Sequence, residues 1–167
     1  MLTTRPPTPD DAPALAALMT PSISQWLGHW PVPFTSAMAE AKISDALSAA
    51  AHGAALTEVI LNDGVIAGWI GGSGPPGRTG FGYWLGEAHQ ARGLLRNLAP
   101  AWVARLHACL HPRTVWAATQ PTNVGSRRVL AACGLQPVRL TWMDTPARAR
   151  FEWVEVWERV WPPLATQ

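Results

Sequence analysis

One lysine, one tyrosine and two cysteines among 167 residues, with charged side chains at only 14%, set the first limits on this chain. Its 13 basic residues are scattered and leave a net charge of +2. That indicates neither a nucleic-acid surface nor a polybasic membrane patch, and it points to a small-molecule partner. Cys109 and Cys133 form no C-x-x-C pair and no secretory leader is evident, so a reduced cytoplasmic protein is the expectation. His107, Cys109 and His111 offer no metal centre, because only the histidines share a helical face and no fourth ligand is in view. No run approaches the roughly 18 uninterrupted apolar residues of a membrane-spanning helix. A chain of this length is expected to form one domain, residues 1–167, and to bury about 70% of its unfolded surface.

What the chain does have is a strand, a loop and a helix in succession between Gly80 and Leu110. Phe81 to Leu85 is an aromatic and aliphatic run bounded by glycines, which suits a strand. From Leu95 the apolar positions Leu95, Leu98, Trp102, Leu106 and Cys109 recur at helical spacing. Between them lies EAHQARGL. A loop that passes from a strand end into a helix N-terminus presents backbone N–H groups with no intrahelical partner, and the helix dipole adds partial positive charge there. This is a phosphate site built from backbone.

The other elements follow in order. LTTR opens a strand that ends near Pro6 and Pro7, and Asp10 is expected to cap a helix over Asp11 to Met19. The proline-rich segment PSISQWLGHWPVPF predicts a loop or broken helix, in which Trp26, Trp30 and Phe34 either line an acceptor pocket or cap a core. Thr35 or Ser36 caps a second helix that runs to about Ala51. AALTEVIL and VIAGWI flank Asn62-Asp63-Gly64, a strong hairpin signal. Gly72, Gly74 and Gly77 match G-x-G-x-x-G, yet the stretch holds two prolines and opens no helix, so the match carries no dinucleotide site. Ser73 likewise lacks a nucleophile elbow.

Thr114 to Ala118 predicts a fifth strand, parallel to the fourth across the helical crossover, with Trp116 as a core residue. Asn123 caps a helix from Val124 to Cys133, with Gly134 as its stop. Val138 to Met143 and Phe151 to Trp161 form a last hairpin. In its second strand Val154, Val156 and Val160 share one face, and Phe151, Trp153, Trp157 and Trp161 share the other.

The order β, α, α, β, β, β, α, β, α, β, β, carried by LTTRPPTPDD, GYWLGEAHQARG and PTNVGSRRVLAACGL, resembles the GNAT-superfamily N-acetyltransferases, in their RimJ/RimL-type branch of ribosomal-protein N-acetyltransferases. The resemblance runs from Leu2 to about Val160. It implies an α/β (α+β) fold with a mixed central sheet of about seven strands, about four helices, and parallel strands 4 and 5 splayed apart. It also implies acetyl-CoA as co-substrate, entering that wedge and pairing with the backbone of Tyr83, Trp84 and Leu85. The family's pyrophosphate loop falls on Gln90, Ala91, Arg92, Gly93, Leu94 and Leu95, the amide cradle already described. Its N-x-x-S falls on Asn123, which would bond the pantetheine arm, and Ser126, which would return a proton to the leaving thiolate. A homodimer is implied by resemblance only.

The implied chemistry is direct attack of a primary amine, on a protein N-terminus or a small molecule, with a fourth-strand N–H stabilising the oxyanion. For the base, Glu155 on the aromatic face of the last strand is the expectation, with an ion-paired Glu155 as its structural alternative and Glu58 and Glu87 as rivals. The sequence departs from the family pattern at Ala91, Leu95 and Pro100. Pro100 either kinks the helix or belongs to a helix that starts late, capped by Asn97. A late start would move the dipole away from the phosphates. The second functional reading is therefore a degenerate domain that binds acyl-CoA, or a protein partner, without turnover.

Overall fold

In the computed structural model, which describes residues 2–162, the chain runs through β1 (Leu2–Arg5), α1 (Ala12–Leu18), α2 (Pro21–Ser24) and α3 (Ser36–Ala51). It continues through β2 (Ala55–Asn62), β3 (Val65–Ser73), β4 (Arg78–Leu85), α4 (Leu94–Leu110) and β5 (Thr114–Thr119). It closes with α5 (Val124–Ala132), β6 (Gln136–Thr145) and β7 (Arg150–Val160). The seven strands form one mixed sheet in the order β1-β2-β3-β4-β5-β7-β6. Helices α4 and α5 bury Trp102, Val103, Leu106, Val129 and Leu130 against one face, together with Ile60, Ile70, Phe81 and Trp157. The other face carries Val59, Trp69 and Trp84, covered by Leu15, Ile23, Phe34 and Ile43 of the amino-terminal segments.

Strand β4 pairs antiparallel with β3 as far as its last residue, Leu85, opposite Gly68. Its parallel pairing with β5 covers only Arg78–Thr114, Thr79–Val115 and Gly80–Trp116. Beyond that point each strand follows its outer neighbour, β4 staying with β3 and β5 with β7, which pairs with it through to Thr119. The sheet therefore opens into a wedge whose floor is the Gly80–Trp116 pair. Successive residues of a strand turn their backbone groups to opposite sides. From Phe81 onward, alternate N–H and C=O groups of β4 consequently face the opening with no strand across from them.

Several local expectations shift when tertiary contacts are present. Asp10 does not cap a helix. Thr8 begins a short 3-10 turn over Pro9–Asp11, and the Asp11 carboxylate accepts from the Thr8 N–H at 2.7 Å and from both terminal nitrogens of Arg5 at 2.7 Å. The chelate ties β1 to the start of α1, and it explains why this acid is buried. The Asp63-Gly64 hairpin forms with both residues at positive φ, as a two-residue turn of that composition favours. Helix α4 begins at Leu94 and runs unbroken through Pro100 to Leu110, so Asn97 is not its cap; the Asn97 N–H already bonds the Gly93 carbonyl at 3.3 Å. The burial of Ala99, Trp102, Val103 and Leu106 outweighs the missing proline hydrogen bond.

Gly68 stands where β3 meets the end of β4, opposite Leu85. A Cβ there would lie 2.1 Å from the Trp84 carbonyl oxygen, which is backbone and cannot swing aside. Gly68→Ala is expected to cost more than about 3 kcal/mol, in the range of severe overpacking. Chemical denaturation checks this; a midpoint within error of wild type would contradict the close approach.

Candidate functional site

A cleft of about 840 Å³ runs through the wedge and opens on both faces of the sheet. On the α4–α5 side its wall is the turn that joins β4 to α4. Ala91 (φ 60°) and Gly93 (φ 67°) both adopt left-handed backbone on either side of Arg92, and Gly93 is the N-cap of α4. Such alternation turns successive N–H groups toward one concave side. Because the first intrahelical bond belongs to Asn97, the N–H groups of Leu94, Leu95 and Arg96 have no intrahelical acceptor. A Cβ on Gly93 would meet nothing within 4 Å, so the cradle is open. Ala91 holds a conformation that costs a non-glycine residue about 1 kcal/mol or more. The Gln90 side chain turns back and donates to the Leu85 carbonyl at 2.8 Å, fixing the strand end against the cradle. Leu95 is half-buried, packed on the core under α4, and it also lines the cleft.

Opposite this turn stands the first turn of α5. Asn123 is its N-cap, accepting from the Ser126 N–H at 3.1 Å. The Ser126 hydroxyl lies 3.0 Å from the Tyr83 hydroxyl of β4, which is also within hydrogen-bond distance of the Ser126 carbonyl oxygen, at 3.2 Å. These contacts lie between the elements that frame the wedge. Burial raises the Tyr83 pKa well above that of an ordinary phenol, against the opposing effect of the Ser126 bond.

On the opposite face the cleft is lined by Trp26, His29, Trp30, Trp69, Trp84, Trp116, Asp144 and Glu152. Trp30 is wedged among Phe34, Trp69 and Trp84 at ring distances of 5.0, 5.5 and 5.1 Å, with the Lys42 ammonium 4.8 Å from its ring. The segment carrying these aromatics is anchored to the β6–β7 corner. Arg148 donates to the carbonyls of Ser24 (2.6 Å) and Leu27 (2.8 Å), Gln120 donates to that of Gln25 (3.0 Å), and the Ala147 N–H bonds Gly28 (2.9 Å). Glu152 organises the anchor: its carboxylate accepts from Arg148, Arg150 and Gln120 at 2.6 to 2.8 Å. Those donors, Arg148 first, hold its pKa down to about 2 despite burial.

The family model for the acetyltransferase (GNAT) domain matches residues 1–136. The chain belongs to the GNAT acetyltransferase family. Solved structures of the same fold include RimL, a ribosomal L7/L12 α-N-protein acetyltransferase in complex with coenzyme A, with 18% identity, coverage of 95% of this chain and 93% of that one, and a TM-score of 0.83. Mycobacterium smegmatis RimJ, with a CoA disulfide, shares 19% identity over 99% and 84% of the two chains at a TM-score of 0.83. A ribosomal-protein-S5-alanine acetyltransferase from Vibrio fischeri shares 19% over 95% and 92% at 0.81. At these identities the likeness is one of fold. No curated protein sequence matches the chain.

Within the GNAT frame, Tyr83, Trp84, Leu85, Gln90, Ala91, Gly93, Leu94, Leu95, Asn123 and Ser126 all line the cleft, as do Trp26 and Trp30. Arg92 is exposed and outside the lining. Phe34 is buried in the core cluster beneath Trp30, so it caps a core and does not line the pocket. Trp116 departs from expectation in the other direction: it is half-buried and lies at the cleft floor.

None of the three acids expected as base lines the cleft. Glu155 turns to the α5 side, ion-paired with Arg127 at 3.0 Å and bonded by Trp157 Nε1 at 3.2 Å. Glu58 binds Trp102 Nε1 at 2.8 Å and Arg105 under α4, and Glu87 accepts from Thr20 at the surface. The acids that line the cleft are Asp144 and Glu152, which sequence reasoning passed over. For Glu152 the signal was present, an acid at even spacing with Val154 and Val156 on the buried face of β7.

A depressed carboxylate pKa stabilises the fold above its unfolded value, and that stability disappears as pH falls through the folded value. Glu152→Gln is therefore expected to lower the melting temperature at pH 7, with the deficit relative to wild type shrinking as pH falls from 4.5 toward about 2. Melting curves at several pH values check this. A deficit that is constant across that window would contradict the Arg148–Glu152 anchor.

Proposed function

We propose that the chain transfers the acetyl group of acetyl-CoA to a primary amine, on a protein N-terminus or a small molecule, by direct attack in a ternary complex. The observation that carries this reading is the unpaired edge of β4 from Phe81 to Leu85 leading straight into the open amide cradle at Ala91 to Arg96. An extended pantetheine arm pairs with such an edge as an added strand would, and a pyrophosphate suits amides at a helix N-terminus. Coenzyme A in complexes of structurally similar proteins supports the same reading. Ala91, Leu95 and Pro100 suggest a degenerate domain as the alternative; a helix that begins at Leu94 favours a working cradle.

In this reading the amine approaches from the tryptophan-lined side and the cofactor from the α4–α5 side. Both meet at the wedge floor. A β4 N–H receives the oxyanion as the amine attacks, and Ser126 returns a proton to the thiolate. With Glu155 turned away, the proton lost by the amine passes to the acceptor side, where His29 and Asp144 line the cleft, either directly or through water. The predominantly apolar tryptophan wall selects an amine carried on an apolar or aromatic group.

Isothermal titration with acetyl-CoA tests the cradle, and micromolar affinity is expected; no binding at millimolar concentration would overturn the reading. Thiol release with a panel of amines then tests transfer. Ser126→Ala is expected to lower kcat about 100-fold, within the range of a lost general acid, while retaining cofactor affinity. Normal turnover by that variant would remove Ser126 from the role.

A further inference from the structure

Tyr83 places one phenol against two oxygens of one residue, 3.0 Å from Ser126 Oγ and 3.2 Å from the Ser126 carbonyl oxygen. Two arrangements of protons satisfy these distances, since either hydroxyl of the pair can donate. In one, Ser126 gives its O–H to the Tyr83 oxygen while the phenol bonds the carbonyl. The serine proton is then held inside the protein and is turned away from the wedge. In the other, the phenol O–H is donated to Ser126 Oγ, and the serine proton is free to point elsewhere. Only the second leaves Ser126 able to give its proton to a thiolate.

We propose that Tyr83 is a positioning residue for acetyl transfer: by donating to Ser126 Oγ it aims the serine proton at the departing thiolate and stabilises the oxygen that gives it up. The inference rests on the transfer reading above. In the step, the Ser126 O–H bond breaks as the S–H bond of coenzyme A forms. The proton that the attacking nitrogen sheds to water restores the serine, so a neutral amine gives no net proton change. Tyr83 keeps its own proton throughout. Burial pushes its pKa up, and its neighbour Cys133, which caps the end of α5, is itself pushed up to about 12 by burial and stays a neutral thiol. A phenol that does not ionise cannot serve as the terminal acid, and it is a permanent donor to the residue that does.

The bland account of the same contact is a strut between β4 and α5. Steady-state kinetics of Tyr83→Phe, Ser126→Ala and the double variant separate the two, with thermal melting to verify the fold. Positioning predicts that Tyr83→Phe lowers kcat about ten- to 100-fold while the KM for acetyl-CoA and the melting temperature stay at wild-type values. The double variant should be no slower than Ser126→Ala alone. The Tyr83→Phe deficit should also shrink above roughly pH 9, the ordinary range of a thiol, where the thiolate leaves without needing a proton. Wild-type kcat in Tyr83→Phe, or a double variant slower by the product of both single effects, overturns the inference alone. A wild-type protein that turns over no amine in the panel overturns the transfer reading and this inference with it.

Discussion

The architecture depends on a pairing that stops. Three residue pairs join β4 to β5, ending at Gly80 and Trp116, and past them neither strand has reason to follow the other because each is fully paired on its outer side. A sheet interrupted in this way exposes backbone N–H and C=O groups in its interior, an arrangement that is costly unless something pairs with them. The wedge is thus both the weakest joint of the sheet and the part whose exposed groups best suit an extended ligand. The amide cradle follows directly in the chain, so strand edge and helix N-terminus lie on one continuous path.

Two carboxylates hold the walls on either side. Glu58 projects from β2 under α4 and binds the buried Trp102 indole and Arg105, which sets the height and rotation of the helix that carries the cradle. Glu152 projects from β7 on the opposite face and gathers Arg148, Arg150 and Gln120, and Arg148 and Gln120 in turn hold Ser24 to Leu27. Both are buried, and both are satisfied by several donors, as a buried charge requires. Each is engaged in locating a wall.

The element order along the chain, the parallel crossover, the cradle and the capping role of Asn123 were legible from local signals: apolar periodicity, a D-G turn, a strand-to-helix loop and an Asx cap. Of the two alternatives at Pro100, the late start fails, because helix propensity counts a lost hydrogen bond but not the four side chains buried around it. For the acids, the ion-paired alternative for Glu155 is the one the structure shows. Period two in β7 separated the two faces of the strand correctly, but it could not tell which face looked into the cleft; that depends on α5 lying over Trp157 and Glu155. The Arg148 bridge to Ser24 and Leu27 spans more than a hundred residues and has no local signature.

Hydrogen exchange of backbone amides with and without acetyl-CoA measures the wedge itself. The account predicts protection concentrated in Phe81 to Leu85 on β4 and in Ala91 to Arg96 at the start of α4, with β1, β2 and the outer edge of β6 unchanged. Saturating acetyl-CoA that leaves both segments exchanging at their free rates would contradict it, because the cofactor would then be bound elsewhere.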